Sequence, residues 1–380
     1  MTLALPATGI FVGRAWRPDR NGPALIVRRG AEAVDITCPE VPTMQALLDR
    51  DDAASFAAAA PGENLGPLEA LAEASTEAPN GVYLLAPCDL QPVKACGVTF
   101  VSSMLERVIE EQAKGDPARA LAIRERCTAI LGDSLRDVQP GSDKALKLKE
   151  VLIADGVWSQ YLEVGIGPYA EVFSKAQPMA AVGFGASVGL HPISTWNNPE
   201  PEIVLACDSG GRIKGATLGN DVNLRDVEGR SALLLGKAKD NNASCAVGPM
   251  LRLFDDSYGL EDVRNAELTL TVTGTDGYVL NGRSSMSQIS RDPEDLVAQT
   301  CGAHHQYPDG FFLMLGTLFA PTEDRDVPGE GFTHKLGDVV EISEPALGRL
   351  ANTVRLSTEC PPWTFGTSAL MRNLAARGLL

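Results

Sequence analysis

Two glutamates stand two residues apart in Asn197-Asn198-Pro199-Glu200-Pro201-Glu202-Ile203-Val204-Leu205. The apolar run that follows and the flanking prolines favour extended backbone, so Glu200 and Glu202 point to one side of a strand. Neither proline donates to a ladder, which predicts a strand start or an edge. Further along, Gly219-Asn220-Asp221-Val222-Asn223-Leu224-Arg225-Asp226 follows a second expected strand and places more carboxylates at its end. Two glutamates and an aspartate meeting at one point suit a hard divalent ion. Mg2+ takes oxygen ligands in octahedral array and keeps waters or substrate oxygens in the remaining positions. The same pattern also fits a solvated strand and an aspartate that caps a helix, and spacing does not separate the two readings. Only four histidines occur, at 191, 304, 305 and 334, and the adjacent pair does not face one site from a regular element. A histidine-built zinc or iron centre is therefore disfavoured.

Cationic groups follow closely. Arg225 precedes the polar stretch Gly236-Lys237-Ala238-Lys239-Asp240-Asn241-Asn242-Ala243-Ser244, which lies between apolar flanks. Lys239 there suits an anionic substrate or, when desolvated, proton exchange; a surface loop with charged tips accounts for it equally. Val182-Gly183-Phe184-Gly185-Ala186-Ser187-Val188-Gly189 has neither the lysine nor the strand-loop-helix setting of a phosphate loop and reads as tight turns.

These groups need a scaffold, and composition bounds it. The 380 residues are 44% hydrophobic and carry 33 Lys and Arg against 49 Asp and Glu, a formal charge of -16, as in a globular protein that repels phosphate backbones. Nucleic acid is excluded as a partner, and no apolar run approaches the roughly 18 residues of a membrane span. No basic-then-apolar leader is read in residues 1–23, and eight cysteines without a C-x-x-C pair read as reduced thiols of a cytoplasmic protein. The patterning predicts a small α+β domain over 1–92, with strands at 24–28 and 33–36 and helices at 43–48 and 65–74. The remaining domain, 93–380, begins with a helical segment, 100–155. Its first helix, 101–114, buries Val101, Met104, Leu105, Val108 and Ile109 and turns Glu106, Glu110 and Glu111 the other way. Asp116-Pro117 starts a second helix to 131, and a third covers 144–154. Strands are expected at 203–207, 212–218, 267–273, 278–281, 311–319, 339–343 and 350–356, with helices at 292–301 and 367–376. The fold class is α+β; without strict strand-helix alternation, a doubly wound sheet or an eight-fold barrel is disfavoured.

Read in order, Phe173-Ser174-Lys175, Pro199-Glu200-Pro201-Glu202, the stretch 215–226, Ala238-Lys239, Leu315-Gly316-Thr317 and Leu336-Gly337-Asp338-Val339-Val340-Glu341 resemble the fumarylacetoacetate hydrolase family from about residue 96 onward. The resemblance implies a mixed β-roll, β-sandwich-like catalytic domain that binds Mg2+ or Mn2+ and acts on small 2-oxo or 1,3-dioxo acids. It further implies metal ligation by Glu200, Glu202 and Asp221, with Glu171 where some members place another acid. Ser103, Lys175, Arg225, Asp226 and Thr317 would contact substrate, and the assembly would be a homodimer or homotetramer.

Hydrolytic members usually carry G-x-N-Y-x-x-H-x-x-E where this chain has Gly97-Val98-Thr99-Phe100-Val101-Ser102-Ser103-Met104-Leu105-Glu106. Glu106 is kept, but a serine hydroxyl does not take a proton from water near neutrality as imidazole does. This departure speaks against an acylpyruvate-type carbon-carbon hydrolase, which remains an alternative beside a non-catalytic metal-binding assembly protein. The phrases at 95–100, 103–107 and 239–249 resemble the branch that holds 2-keto-3-deoxypentonate dehydratases, metal-dependent enzymes that turn a 2-oxo sugar acid into 2,5-dioxopentanoate. That likeness implies Glu106, with Glu171 as competitor, for proton transfer, and Lys239 for holding the anion and aiding departure of hydroxide.

Overall fold

The computed structural model describes every residue except 1, 77, 78, 80, 115, 117, 118, 121, 122, 124–137, 155–157, 322, 327, 329 and 330. Most of the helix expected over 116–131 lies outside the described residues. In chain order the strands are β1 (Phe11–Arg17), β2 (Gly22–Arg29), β3 (Glu32–Asp35), β4 (Glu63–Pro67), β5 (Tyr83–Leu85), β6 (Val93–Gly97), β7 (Glu171–Ala176) and β8 (Ser187–Leu190). They continue as β9 (Pro201–Cys207), β10 (Ile213–Asp221), β11 (Cys245–Leu253), β12 (Glu267–Thr273), β13 (Val279–Ser285), β14 (Phe311–Met314), β15 (Val339–Glu344) and β16 (Gly348–Leu356).

Eleven of these form one sheet in the order β4-β3-β2-β1-β11-β10-β9-β14-β6-β7, with β5 attached to β1. The other five run β13-β12-β15-β16-β8. Both sheets are mixed, because β14 pairs parallel with β6 and β16 with β8 while the remaining pairs are antiparallel. Together with the helices this is the expected α+β class.

The two faces of β9 explain the layering. Ile203, Leu205 and Cys207 join a core that includes Leu270, Val272, Val340, Ile342 and Leu350 of the smaller sheet. Val204 and Ala206 face the opposite way, toward Met44, Leu47 and Leu48 of a helix lying on the large sheet. A third cluster joins Met104, Val108 and Ile109 of helix Val101–Ala113 to Leu162 and Ile166 of helix Gln160–Ile166.

Several expectations change. The large sheet crosses the expected boundary at residue 92, since Phe11 and Val12 of β1 pair with Arg252 and Leu251 of β11. The stretch expected as helix 65–74 starts as strand β4 and turns helical at Leu68–Ala74. Strand β14 stops at Met314 rather than 319, where Gly316 adopts a positive φ of 89° and turns the chain into the site. The start at Pro201 fits the strand-start reading; β9 is no edge, being paired on both sides. The chain also holds β11, which the patterning misses because Gly248-Pro249 interrupts it and all nine residues are buried. The ladder jumps from Ala216↔Arg252 to Leu218↔Gly248, so a bulge takes up the proline that has no N–H to give.

Candidate metal centre and active site

The site grows from the end of the β9–β10 pair. Gly219 lies opposite Glu202, and Asp221 N–H donates to Glu200 O at 3.1 Å. Side chains of one strand repeat every two residues on a face, so this register sets Glu200, Glu202 and Asp221 on one side of the sheet. One carboxylate oxygen from each lies within 4.8 Å of the others, and all three residues are buried. Gly219 has no alternative here: a Cβ would meet Val204 Cγ2 at 2.6 Å and Met314 Cε at 2.8 Å.

Three like charges in a dry place need cations. Lys239, at the end of the short helix Leu235–Lys239, brings Nζ to 2.6 Å from Glu200 Oε2 and 2.9 Å from Asp221 Oδ2. The expected polar loop is thus partly helical, and its lysine is buried. Lys175 of β7 lies behind Asp221, with Nζ 2.8 Å from Oδ1 and donating to Val222 O at 3.0 Å. The Lys175 contact to Oδ1 is an ion pair off the hydrogen-bond direction, which leaves that buried oxygen with unused accepting capacity. Burial works against it, yet Lys175 and Lys239 hold the Asp221 carboxyl below its ordinary value. For Glu202, burial and the Asp221 and Glu200 charges drive the carboxyl well above its ordinary value, despite the Gly316 N–H donated to Oε2 at 2.6 Å. A converging oxygen set with a free acceptor and surplus negative charge fits a hard divalent ion.

Helix Val101–Ala113 closes the other side of the cavity. Arg107 pairs with Glu200, with Glu110 at 2.7 Å and with Glu228 at 3.1 Å. Arg225 Nε lies 2.7 Å from Glu110 Oε1, and its Nη2 is 3.3 Å from Glu106 Oε2. Glu106, Arg225, Ser103 and Thr317 therefore line one connected recess with Glu200. Ser103 Oγ donates to Phe100 O at 2.9 Å. Partly buried Glu171 faces Gly97, whose missing side chain leaves room for the carboxylate; burial raises its carboxyl above the ordinary value. Asp226 instead accepts from Ser194 Oγ at 2.7 Å and Thr195 N at 2.9 Å, fixing a loop outside that recess.

Sequence reasoning missed Arg107, Glu110 as a buried group, and Glu228. The available signal was Arg107-x-x-Glu110, a charged pair at i,i+3 beside the helix's apolar stripe.

Residues 208–355 match the family model described as fumarylacetoacetate (FAA) hydrolase C-terminal. Over this stretch, less than half of the chain, the sequence is similar to that family. Asp221, Lys239 and Thr317 fall within the matched span, and Glu200 and Glu202 precede it. A curated protein of Saccharolobus solfataricus named 2-dehydro-3-deoxy-D-arabinonate dehydratase is 30% identical over 185 residues, 49% of this chain and 58% of its own. A protein of Haloferax volcanii named probable 2-keto-3-deoxyxylonate dehydratase is 30% identical over 194 residues, 51% of this chain and 63% of its own. The chain thus spans about three fifths of the length of these curated relatives. Beyond the matched stretch, the fold as a whole is similar to a solved 2-keto-3-deoxy-D-arabinonate dehydratase in apo form. Its TM-score is 0.64 at 21% identity, covering 92% of this chain and 99% of that one. The form of that enzyme complexed with magnesium and 2,5-dioxopentanoate gives a TM-score of 0.63 at 21% identity over the same shares.

Proposed function

We propose that the protein is a metal-dependent 2-keto-3-deoxypentonate dehydratase that converts 2-dehydro-3-deoxypentonate to 2,5-dioxopentanoate. The observation that carries this reading is the buried meeting of Glu200, Glu202 and Asp221 beside Lys239. The names of the two curated relatives and the product-bound neighbour support it.

Glu200, Glu202 and Asp221 would hold Mg2+, or Mn2+ in its place. Bound there, the ion supplies a fixed positive charge for the oxygens of a 2-oxo acid. Lys239, anchored by two carboxylates, adds a second positive charge at the same point and favours departure of hydroxide. Glu171, with its raised carboxyl, takes the C3 proton. Glu106, the leading sequence candidate for that role, is paired with Arg225 and lines the part of the recess that holds Glu200 but not Glu202, Asp221 or Lys239. Arg225 and Glu106 therefore orient the hydroxylated tail, and Ser103 and Thr317 present hydroxyl groups to the same space. Loss of a C3 proton and the C4 hydroxyl gives a 3-ene. Loss of protons from C5 and its hydroxyl, with return of protons to C3 and C4, leaves the aldehyde.

The hydrolytic alternative calls for a base at position 103, and a serine hydroxyl, which here donates to Phe100 O, does not take a proton from water near neutrality. Among the described residues no helix is long and apolar enough to cross a membrane. A cytoplasmic homodimer or homotetramer completes the proposal, to be checked by light scattering on the purified protein. The deciding experiment incubates the protein and Mg2+ with each 2-keto-3-deoxypentonate enantiomer and follows loss of one water by mass. Formation of 2,5-dioxopentanoate from one of them is expected. Cleavage of a 1,3-dioxo acid with no dehydration of either enantiomer would overturn the proposal.

A further inference from the structure

Glu228 ends the short helix Arg225–Glu228 and is 4% exposed. It lines the recess shared by Glu200, Glu202, Asp221, Lys239 and Thr317. Its Oε2 lies 3.1 Å from Arg107 Nη1, off the hydrogen-bond direction, and accepts no hydrogen bond among the described residues. Lys239, Glu200 and Glu110 act on it electrostatically, and Tyr161 Oη donates to its backbone carbonyl at 3.5 Å. Burial outweighs the pull of Arg107 and Lys239 and pushes the carboxyl up to about 7.

The neighbouring acids have other engagements. Glu200 and Asp221 hold Lys239, Glu110 lies between Arg107 and Arg225, Glu106 pairs with Arg225, and Glu202 accepts the Gly316 N–H. Dehydration asks for two proton-handling groups, one to accept from C3 and one to donate to the leaving oxygen, because hydroxide departs poorly. Glu171 and Glu228 come from different elements of the fold, strand β7 and the helix after β10.

Building on the dehydratase reading, we propose that Glu228 is the general acid that protonates the departing C4 hydroxyl. Its O–H bond breaks as the C4–O bond breaks, water leaves, and the resulting carboxylate lies beside the Arg107 guanidinium. Solvent then returns the proton. An amide at this position keeps the shape of the side chain and removes the donor acid.

The test compares E228Q with the unaltered protein, both loaded with Mg2+, on 2-keto-3-deoxypentonate and on its 4-deoxy-4-fluoro analogue. Fluoride departs without a proton. E228Q is expected to lose roughly 100-fold or more on the hydroxyl substrate and to stay within about threefold on the fluoro analogue. Equal losses on both would overturn the assignment and make Glu228 a positioning residue acting through Arg107. Undiminished dehydration by E228Q would overturn it as well. E228A gives an independent arm: formate is expected to restore water loss, and failure of rescue in a folded, Mg2+-binding variant counts against the acid role. If the unaltered protein eliminates neither water nor fluoride, the dehydratase reading itself fails, a result distinct from a defect confined to Glu228 variants.

Discussion

Arg225 Nε lies 2.7 Å from Glu110 Oε1, with both side chains 2% exposed. Glu110 also holds Arg107, so one carboxylate bridges two guanidinium groups between the helix and the metal centre. Burial opposes its ionisation, yet the two arginines bring its carboxyl below the ordinary value. Removing such a carboxylate strands buried positive charge, at a typical cost of about 3–5 kcal/mol. Glu110→Ala is therefore expected to lower urea stability on that scale. The double variant E110L/R225M should lose less than the sum of its single variants. Additive losses in a urea-denaturation cycle would show that the pair is not coupled.

Gly97 is the space into which the Glu171 carboxylate fits. A Cβ at 97 would come 2.0 Å from Glu171 Oε2, the far end of a flexible side chain, so the chain can fold by turning the carboxylate aside. Gly97→Ala is thus expected to cost about 1 kcal/mol or less in stability but at least tenfold in kcat. A variant with unchanged kcat would separate Glu171 from the chemistry; thermal unfolding and initial rates on one preparation make the comparison.

The Glu200 and Glu202 pair is legible as two acids on one side of extended backbone, because that determinant is local, while the full ligand set comes from the family resemblance. Asp221 was legible as a strand end, but its alignment opposite Glu200 depends on which strands pair. Glu228 and Glu110 were not legible, since their burial arises from packing between the 101–113 helix and the turn after β10. Central strand β11 was hidden for a related reason. With both faces covered it shows no alternation, and only the β10 partner reveals how Pro249 is tolerated. Strand β1 carries the same lesson, because Phe11 and Val12 are placed by β11, which comes more than two hundred residues later.

Asp338 makes the pH dependence of the fold specific. Arg325 donates to its two oxygens at 2.6 and 2.8 Å, and His334 Nδ1 lies 3.1 Å from Oδ2. Burial works against ionisation, but Arg325 and His334 lower the carboxyl from 3.8 to about 2. A depressed folded value means that the unfolded chain binds the proton first. The stabilisation is complete above the unfolded value and is lost as pH falls from about 3.8 through about 2. The stability difference between the unaltered protein and Asp338→Asn should accordingly be constant near neutrality and shrink across that acid window. Denaturation midpoints measured against pH check it; a difference that persists undiminished at the acid end would contradict the assignment.

Glu202 gives opposite expectations for the empty and loaded site. Without a cation, its charge is repelled by Asp221 and Glu200 in a buried setting, with the Gly316 N–H as its direct donor partner. Glu202→Gln keeps an acceptor oxygen for that N–H and removes the repelled charge. The metal-free variant is therefore expected to unfold at or above the temperature of the unaltered protein treated with EDTA. Mg2+ should reverse the order, since binding at a hundred times Kd adds about 2.7 kcal/mol to a folded state that holds the ion. The variant, lacking one of three anionic oxygens, should show little thermal shift and at least tenfold weaker Mg2+ affinity by calorimetry. Equal affinity in both proteins would remove Glu202 from the ligand set, even if the variant were inactive.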